Sequence, residues 1–187
     1  LFALLTTERR IMPHVHLSLQ AGDDMILKRM KRRHSRAESV ALVDRLKTAR
    51  GDIAIGADLI AGFPTEDAAM FANTLALIDD CHIVHPHIFP YSPRAGTPAA
   101  RMPQVEPEVR RQRAALLRDA GETARARWLQ TLVGTRQDML VERSGDRGHI
   151  GNFAEVLLDA PAIPDDIVRI RITGATSDRL SATREPS

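Results

Sequence analysis

The hydrophobic residues in the first hundred positions form short runs that end at glycine and proline. Residues 53–61 read IAIGADLIA and stop at Gly62-Phe63-Pro64. A run of this length and composition is typical of a strand buried on both faces of a parallel sheet. Residues 85–91, HPHIFPY, form a second run that leads into the loop SPRAGT. Between the two runs, apolar residues recur at helical spacing at Met70, Phe71, Leu75 and Ile78.

The order strand, helix, strand predicts a βαβ unit, whose two loops lie at the same edge of a sheet. An earlier strand is predicted at residues 13–20, where apolar and polar residues alternate. Its apolar face carries Val15, Leu17 and Leu19, and its polar face carries His14, His16, Ser18 and Gln20. In a barrel the polar face would line the lumen and form part of a ligand site. On an open sheet the same pattern is typical of an edge strand whose polar face contacts water.

The turn that follows residues 53–61 has a structural and a functional interpretation. Gly62 can adopt an unusual backbone angle, and Thr65 is a candidate N-cap of the next helix. Glu66 and Asp67 would then interact with the helix macrodipole. Because ligands of α/β folds bind beyond the carboxyl ends of the strands, the turn is also a candidate wall of an active site.

The second half of the chain changes from one long helical pattern to period-two alternation. Residues 106–133 are predicted to form a helix with an apolar stripe of Val109, Leu116, Ala120, Ala124, Trp128 and Leu132. We expect this helix to be a solvated bridge between two domains. Strands are predicted at residues 138–142, 149–158, 167–174 and 179–183. Several short strands in so little chain are typical of a small β-barrel.

Three segments together resemble a known family: HLSLQAGDDMILKRMKRRHS from His16, DLIAGFPTED from Asp58 and HIFPYSPRAGTPAARMP from His87. They are similar to the radical S-adenosylmethionine methylthiotransferases, and within that family to the bacterial enzymes that modify N6-threonylcarbamoyladenosine beside the tRNA anticodon. The resemblance implies an α/β fold, with the last three βα units of a partial TIM-type radical SAM barrel over residues 1–104. It also implies a connecting helix over residues 105–134 and an OB-like, RNA-binding TRAM barrel over residues 135–187. Pro164-Asp165 departs from the family, which commonly has a glycine there.

The cofactors that the resemblance implies are S-adenosylmethionine and, in the full-length enzyme, two 4Fe-4S clusters. Each cluster needs closely spaced cysteine thiolates, and this sequence has a single cysteine, Cys81. We therefore expect the chain to be the carboxyl-terminal part of such an enzyme and to be inactive alone. No residue of the chain is expected to be catalytic or to bind a metal.

The resemblance and the chemistry of the residues together assign binding roles at the predicted rim. The residues expected to bind S-adenosylmethionine are Ser18, Gln20, Gly62, Phe63, Glu66, Phe89 and Tyr91. Gly62 would leave room for the ligand, and Ser18 and Gln20 offer hydrogen bonds in the lumen. The residues expected to bind the substrate RNA are Lys28, Arg32, Arg33, Arg94 and Phe153. The cations can pair with phosphates or a carboxylate, and the aromatic ring can stack on a base.

Charge and composition add modest support for a nucleic-acid partner, expected to be the tRNA anticodon stem-loop. The formal net charge is +2, but basic residues crowd residues 28–36 without an acid between them. The single cysteine suits a reducing compartment, and no apolar run is long enough to span a membrane. We therefore expect a cytoplasmic protein that does not bind membranes, and we favour a monomer.

Three alternatives from other classes remain open. The pairs His14-x-His16 and His85-x-His87 could bind the divalent metal of a barrel hydrolase, although the expected strand order separates the two pairs. A sister methylthiotransferase that acts on isopentenyladenosine in tRNA, or on a ribosomal protein, would have the same fold. A non-catalytic RNA-binding module would need only the basic segment and the terminal barrel.

Overall fold

The computed structural model describes residues 1–185, which form an open parallel sheet followed by a small closed barrel. The first part contains, in order, α1 (Phe2–Thr7), β1 (His14–Gln20), α2 (Asp24–Arg29), α3 (Arg36–Ala49), β2 (Ala54–Ala61), α4 (Ala68–Asp80), β3 (Ile83–Pro90) and α5 (Pro107–Leu132). A short 3-10 helix, Ala99–Arg101, lies between β3 and α5. The second part contains β4 (Arg136–Val141), β5 (Arg147–Ile150), β6 (Glu155–Leu158), β7 (Ile167–Ala175) and β8 (Leu180–Arg184).

The parallel sheet has the order β1-β2-β3, which confirms the predicted βαβ unit and the α/β class. β2 is the central strand of the sheet. Nearly all its residues are buried, as its apolar composition predicts. One face of the sheet packs against the helices through side chains such as Ile55, Leu59, Leu77 and Ile83. The other face, which we call the lumen, carries His14 and His16 of β1 beside Gly56 of β2. The carboxyl ends of the three strands therefore point to one rim, as parallel strands require.

The helices begin where short polar side chains can cap them. Asp23 accepts hydrogen bonds from the first turn of α2, and Ser35 forms a capping box with Glu38 at α3. At α4 the N-cap is Asp67, whose side chain accepts a hydrogen bond from the Met70 backbone N–H. The prediction that Thr65 caps this helix is wrong, because Thr65 lies in the preceding turn with a φ of 67°.

Helix α5 covers the parallel sheet, and the prediction of a solvated bridge is wrong for most of its length. The buried positions in contact with the sheet are Ala114, Leu117, Gly121 and Ala124, whereas Leu116 of the predicted stripe is 50% exposed. Gly121 permits this close approach, because a Cβ atom there would lie 2.5 Å from Cγ of Pro86 in β3. The last turns of α5 enter the second core, where Leu129 is fully buried.

The second part is a closed barrel, as predicted, and its strand order is β4-β5-β6-β8-β7. Its interior is filled by alternating residues, among them Met139, Val156, Ile170 and Leu180. The single predicted strand 149–158 is in fact two strands, β5 and β6, joined by a turn in which Phe153 has a φ of 69°.

In the Pro164-Asp165 turn, the backbone of Asp165 is left-handed with a φ of 66°. Aspartate tolerates this conformation better than most residues. Its N–H donates to the Val141 carbonyl oxygen at 2.9 Å, so the turn keeps its contact with β4. Among the described residues, no helix is long and apolar enough to cross a membrane.

Candidate functional site

The rim at the carboxyl ends of β2 and β3 contains a cavity of about 420 Å³. The cavity is lined by Ile60, Phe89, Pro90, Tyr91, Ser92, Arg94, Thr97 and Ala99. The Tyr91 N–H donates to the Ala61 carbonyl oxygen at 2.8 Å, so the backbone pairing of β2 and β3 extends to the cavity floor. A cavity of this size, with aromatic walls and a few polar groups, suits a ligand of nucleoside size.

Of the residues predicted to bind S-adenosylmethionine, Phe89 and Tyr91 line this cavity, and Arg94 of the predicted RNA-binding set lies beside them. The Phe89 side chain is half exposed, with 51% of the residue surface accessible. Exposure of an aromatic ring to water is unfavourable. An exposed ring at the end of a strand is therefore consistent with a surface that a flat ligand covers. Binding of S-adenosylmethionine by Phe89 and Tyr91 stays a prediction.

Gly62 adopts the left-handed backbone with a φ of 72°, but the space beside it is filled by the protein itself. A Cβ atom on Gly62 would lie 2.3 Å from Cγ of Arg110 in α5. Phe63 is buried in a small cluster with Ala21, Ile26 and Leu27, and its ring meets the Tyr91 ring edge to face at 5.2 Å. Close packing of α5 is sufficient reason for glycine at position 62, and the role of Gly62 in ligand binding stays a prediction.

Glu66 is a buried residue, not an exposed acid beside a helix dipole. Its carboxylate accepts hydrogen bonds from the Gly62 N–H at 3.0 Å and from the Arg113 guanidinium at 2.8 Å. Burial raises the pKa of Glu66, and these two donors oppose that rise. The interpretation of Glu66 as a macrodipole partner is therefore wrong, and its side chain connects the rim turn to α5.

The two remaining residues of the predicted cofactor set lie on β1, away from the cavity. Gln20 is 9% exposed and ends β1 with a φ of 70°. Ser18 is exposed and borders a separate groove with Arg33 and His34. Neither residue lines the rim cavity as the structure describes it.

The predicted basic segment lies at the same rim, because the Arg29 guanidinium donates to the Thr65 carbonyl oxygen at 3.4 Å. Arg36 pairs with Asp80 on α4, so part of the segment is structural. Lys28, Arg32 and Arg33 are exposed, and within residues 1–185 none of them forms an ion pair. These three cations can contact phosphates, although Arg33 borders the separate groove of Ser18 and none of the three lines the rim cavity.

Phe153, predicted to stack on RNA, stacks on two histidines instead. Its ring lies between His14 at 5.3 Å and His149 at 4.8 Å, with interplanar angles of 23° and 22°. His14 begins β1, so Phe153 lies at the amino ends of the strands, opposite the rim. Phe153 remains 56% exposed, and its role toward RNA stays a prediction.

The histidine pairs of the sequence come together in the lumen, and the expectation that strand order separates them is wrong. His16 on β1 and His87 on β3 lie on either side of Asp58 on β2, with ring centroids 4.5 Å apart. Sequence reasoning missed Asp58 because it is one polar residue in an apolar run. The available signal was a lone acid within the apolar run of residues 53–61, whose carboxyl end was predicted to lie at the rim.

The residues of the chain do not fit an iron–sulfur cluster. Cys81 is the only cysteine in the sequence, and its side chain is buried at the end of α4. Burial, with Asp80 nearby, raises the pKa of the Cys81 thiol to about 12. A cluster ligand must be a thiolate, so Cys81 cannot supply one here.

Fold and rim define an α/β chain with a ligand cavity at the carboxyl edge of a parallel sheet and a small β-barrel attached. The family model described as Radical SAM superfamily matches residues 4–78. The chain is 44% identical over 174 residues to the threonylcarbamoyladenosine tRNA methylthiotransferase MtaB of Rickettsia prowazekii, a match that covers 93% of this chain and 41% of that protein. Over most of its length, the chain is therefore similar to radical SAM methylthiotransferases.

Two further relatives carry the name tRNA-2-methylthio-N(6)-dimethylallyladenosine synthase. The protein of Neorickettsia sennetsu is 33% identical over 181 residues, covering 95% of this chain and 38% of the relative. The protein of Maricaulis maris is 37% identical over 181 residues, covering 93% of this chain and 40% of the relative. The chain thus spans about two fifths of the length of the curated relatives it matches.

Proposed function

We propose that this chain provides the adenosyl-binding rim and the RNA-binding surfaces of a tRNA methylthiotransferase that acts on N6-threonylcarbamoyladenosine beside the anticodon. One observation carries the proposal: a nucleoside-sized cavity with aromatic walls lies at the rim, and the exposed cation Arg94 lines it. The substrate choice is supported by the identity of 44% to the threonylcarbamoyladenosine enzyme, against 33% and 37% to the dimethylallyladenosine enzymes.

S-adenosylmethionine, when bound, would supply the methyl group and the radical chemistry of the family. Phe89 and Tyr91 would hold the adenosyl group and exclude water from it. Arg94 would pair with the threonyl carboxylate or with an RNA phosphate. Since Cys81 cannot ligate a cluster, we expect this chain by itself to bind its ligands without converting them.

The test of RNA binding is filter binding of an unmodified tRNA transcript over a salt series. Each phosphate contact lowers the slope of log K against log salt by about 0.7–0.9. We expect the triple variant Lys28→Ala, Arg32→Ala, Arg33→Ala to have a shallower slope, by the amount that corresponds to about two to three lost phosphate contacts. The control is Arg118→Ala, which removes an exposed cation on α5 and should leave the slope unchanged. A wild-type affinity that does not change with salt would contradict the proposal.

The substrate is tested in the organism that carries the gene. Nucleosides from tRNA of strains with and without the gene are compared by mass spectrometry. We expect loss of the methylthio group from N6-threonylcarbamoyladenosine. Loss of only the dimethylallyladenosine product would assign the chain to the sister enzymes.

A further inference from the structure

Three potential metal ligands lie close together on neighbouring strands, on the lumenal face of the parallel sheet. Nε2 of His16 lies 2.9 Å from Oδ1 of Asp58, and Nδ1 of His87 lies 3.4 Å from the same oxygen. One ligand atom from each of the three residues lies within 4.8 Å of the other two. We call these residues the lumenal triad. They come from β1, β2 and β3, so the sheet itself fixes their positions.

The spacing of the lumenal triad matches what a small transition-metal ion requires. Tetrahedral ligands at bond lengths of about 2.0–2.1 Å lie about 3.3 Å from one another. The separations of 2.9 Å and 3.4 Å in the structure differ from that value by only a few tenths of an ångström. Two of the three separations are therefore close to those around a bound ion, and the third, between the ligand atoms of His16 and His87, is within 4.8 Å.

The sequence of β2 leaves room for the two imidazoles. A Cβ atom on Gly56 would lie 2.5 Å from Nδ1 of His16 and 3.3 Å from Nε2 of His14. That nitrogen of His14 is itself buried and has no hydrogen-bond partner among the described residues. Glycine at this position thus allows imidazoles to turn into the lumen, where a buried polar atom still lacks a partner.

The lumenal triad is accessible and lies directly below the rim cavity. Its side chains are 30%, 28% and 63% exposed at His16, Asp58 and His87. Residues two positions further along β2 and β3, Ile60 and Phe89, line the cavity. An ion in the lumen can therefore enter from solvent, and its remaining coordination positions can accept an oxygen ligand.

We propose that His16, Asp58 and His87 form a binding site for a divalent transition-metal ion such as Zn²⁺. Two imidazoles and one carboxylate are the donor set of zinc and of non-haem iron sites. Mg²⁺ and Ca²⁺ are excluded as preferred ions, because they favour oxygen ligands. The site would bind water or a carboxylate group at its open position.

The test is metal binding by the chain with its affinity tag removed, using Zn²⁺ in competition with a chromophoric chelator and metal analysis after dialysis. We expect one Zn²⁺ per chain, and visible d–d absorption when Co²⁺ replaces it. His16→Ala, Asp58→Ala and His87→Ala should each weaken Zn²⁺ affinity by at least about tenfold. His149→Ala is the matched control, since His149 also pairs with a carboxylate, that of Glu142 at 2.8 Å, and should keep full affinity.

Folding of each variant is checked by circular dichroism, and His87→Ala is the variant most easily tolerated because His87 is the most exposed of the three. Gly56→Ala gives a second test, because it displaces His16 without removing any ligand atom and should also weaken Zn²⁺ affinity. A folded wild-type chain that binds no Zn²⁺, or equal loss of affinity in His149→Ala, would overturn the proposal. The measurement uses neither tRNA nor S-adenosylmethionine, so its outcome is independent of the proposed function.

Discussion

His85 is a buried imidazole at the point where the parallel sheet meets the small barrel. It is 9% exposed, and its Nε2 lies 3.2 Å from the Asn152 carbonyl oxygen, to which the neutral ring donates a hydrogen bond. Burial lowers the pKa of His85 to about 4, and the positive charge of Arg125 contributes to the decrease. The imidazole is therefore neutral in the folded protein at pH 7.

Because the unfolded chain protonates His85 near its ordinary pKa of about 6.5, folding stability should depend on pH. The folded-state pKa is depressed, so its contribution to stability is present above pH 6.5 and is lost as the pH falls toward 4. The loss should reach up to about 3 kcal/mol. Urea unfolding at a series of pH values measures it, and His85→Gln should make the dependence shallower. A directly measured His85 pKa of 6.5 or higher in the folded protein would refute this account.

At the scale of secondary structure, the ion pair between Glu66 and Arg113 connects the rim turn to α5. The Glu66 side chain is fully buried and the Arg113 side chain is 13% exposed. Arg113 also donates to the Glu66 backbone carbonyl oxygen at 2.9 Å. The contact fixes α5 against the turn that ends β2, next to the cavity.

Replacing Glu66 with alanine should lower the free energy of unfolding by about 3–5 kcal/mol, since it leaves a largely buried guanidinium without its carboxylate partner and the Gly62 N–H without its acceptor. The control is Glu108→Ala, because Glu108 pairs with Arg111 on the exposed side of α5 and should contribute less than about 1 kcal/mol. Urea denaturation of both variants provides the comparison. Equal decreases in the free energy of unfolding of the two variants would show that the buried Glu66–Arg113 pair contributes no more to stability than the exposed pair.

The elements with regular hydrophobic spacing were predicted well, and the faces they bury less well. The predicted helix at residues 106–133 agrees with α5, Pro107–Leu132, to within a residue at each end. Its buried face was missed because Ala114 and Gly121 are small and carry little hydrophobic signal. The lumenal triad was missed because its formation depends on β2 lying between β1 and β3, an order that alternation within one strand does not specify.

At the scale of the whole molecule, two hydrophobic cores meet through α5 and an aromatic contact at the amino ends of the strands. Helix α5 contributes Leu117 to the first core and Leu129 to the second. The Phe153 ring from the barrel stacks on His14 of β1, and Trp128 meets His85 edge to face at 5.2 Å. The helix and these rings should make the two cores unfold together.

Phe153→Ala should therefore separate the unfolding of the two cores in a calorimetric scan. Each lost aromatic pair is worth about 0.5–1.5 kcal/mol, which lowers the melting temperature by about 2–4 °C per kcal/mol in a chain of this size. Ile163→Ala is the control, since Ile163 is an apolar barrel residue that is 70% exposed, and it should leave one unchanged transition. If Phe153→Ala instead weakens tRNA binding and leaves unfolding unchanged, Phe153 acts as a stacking surface for a base, because the ring then contributes to RNA affinity and not to the contact between the cores.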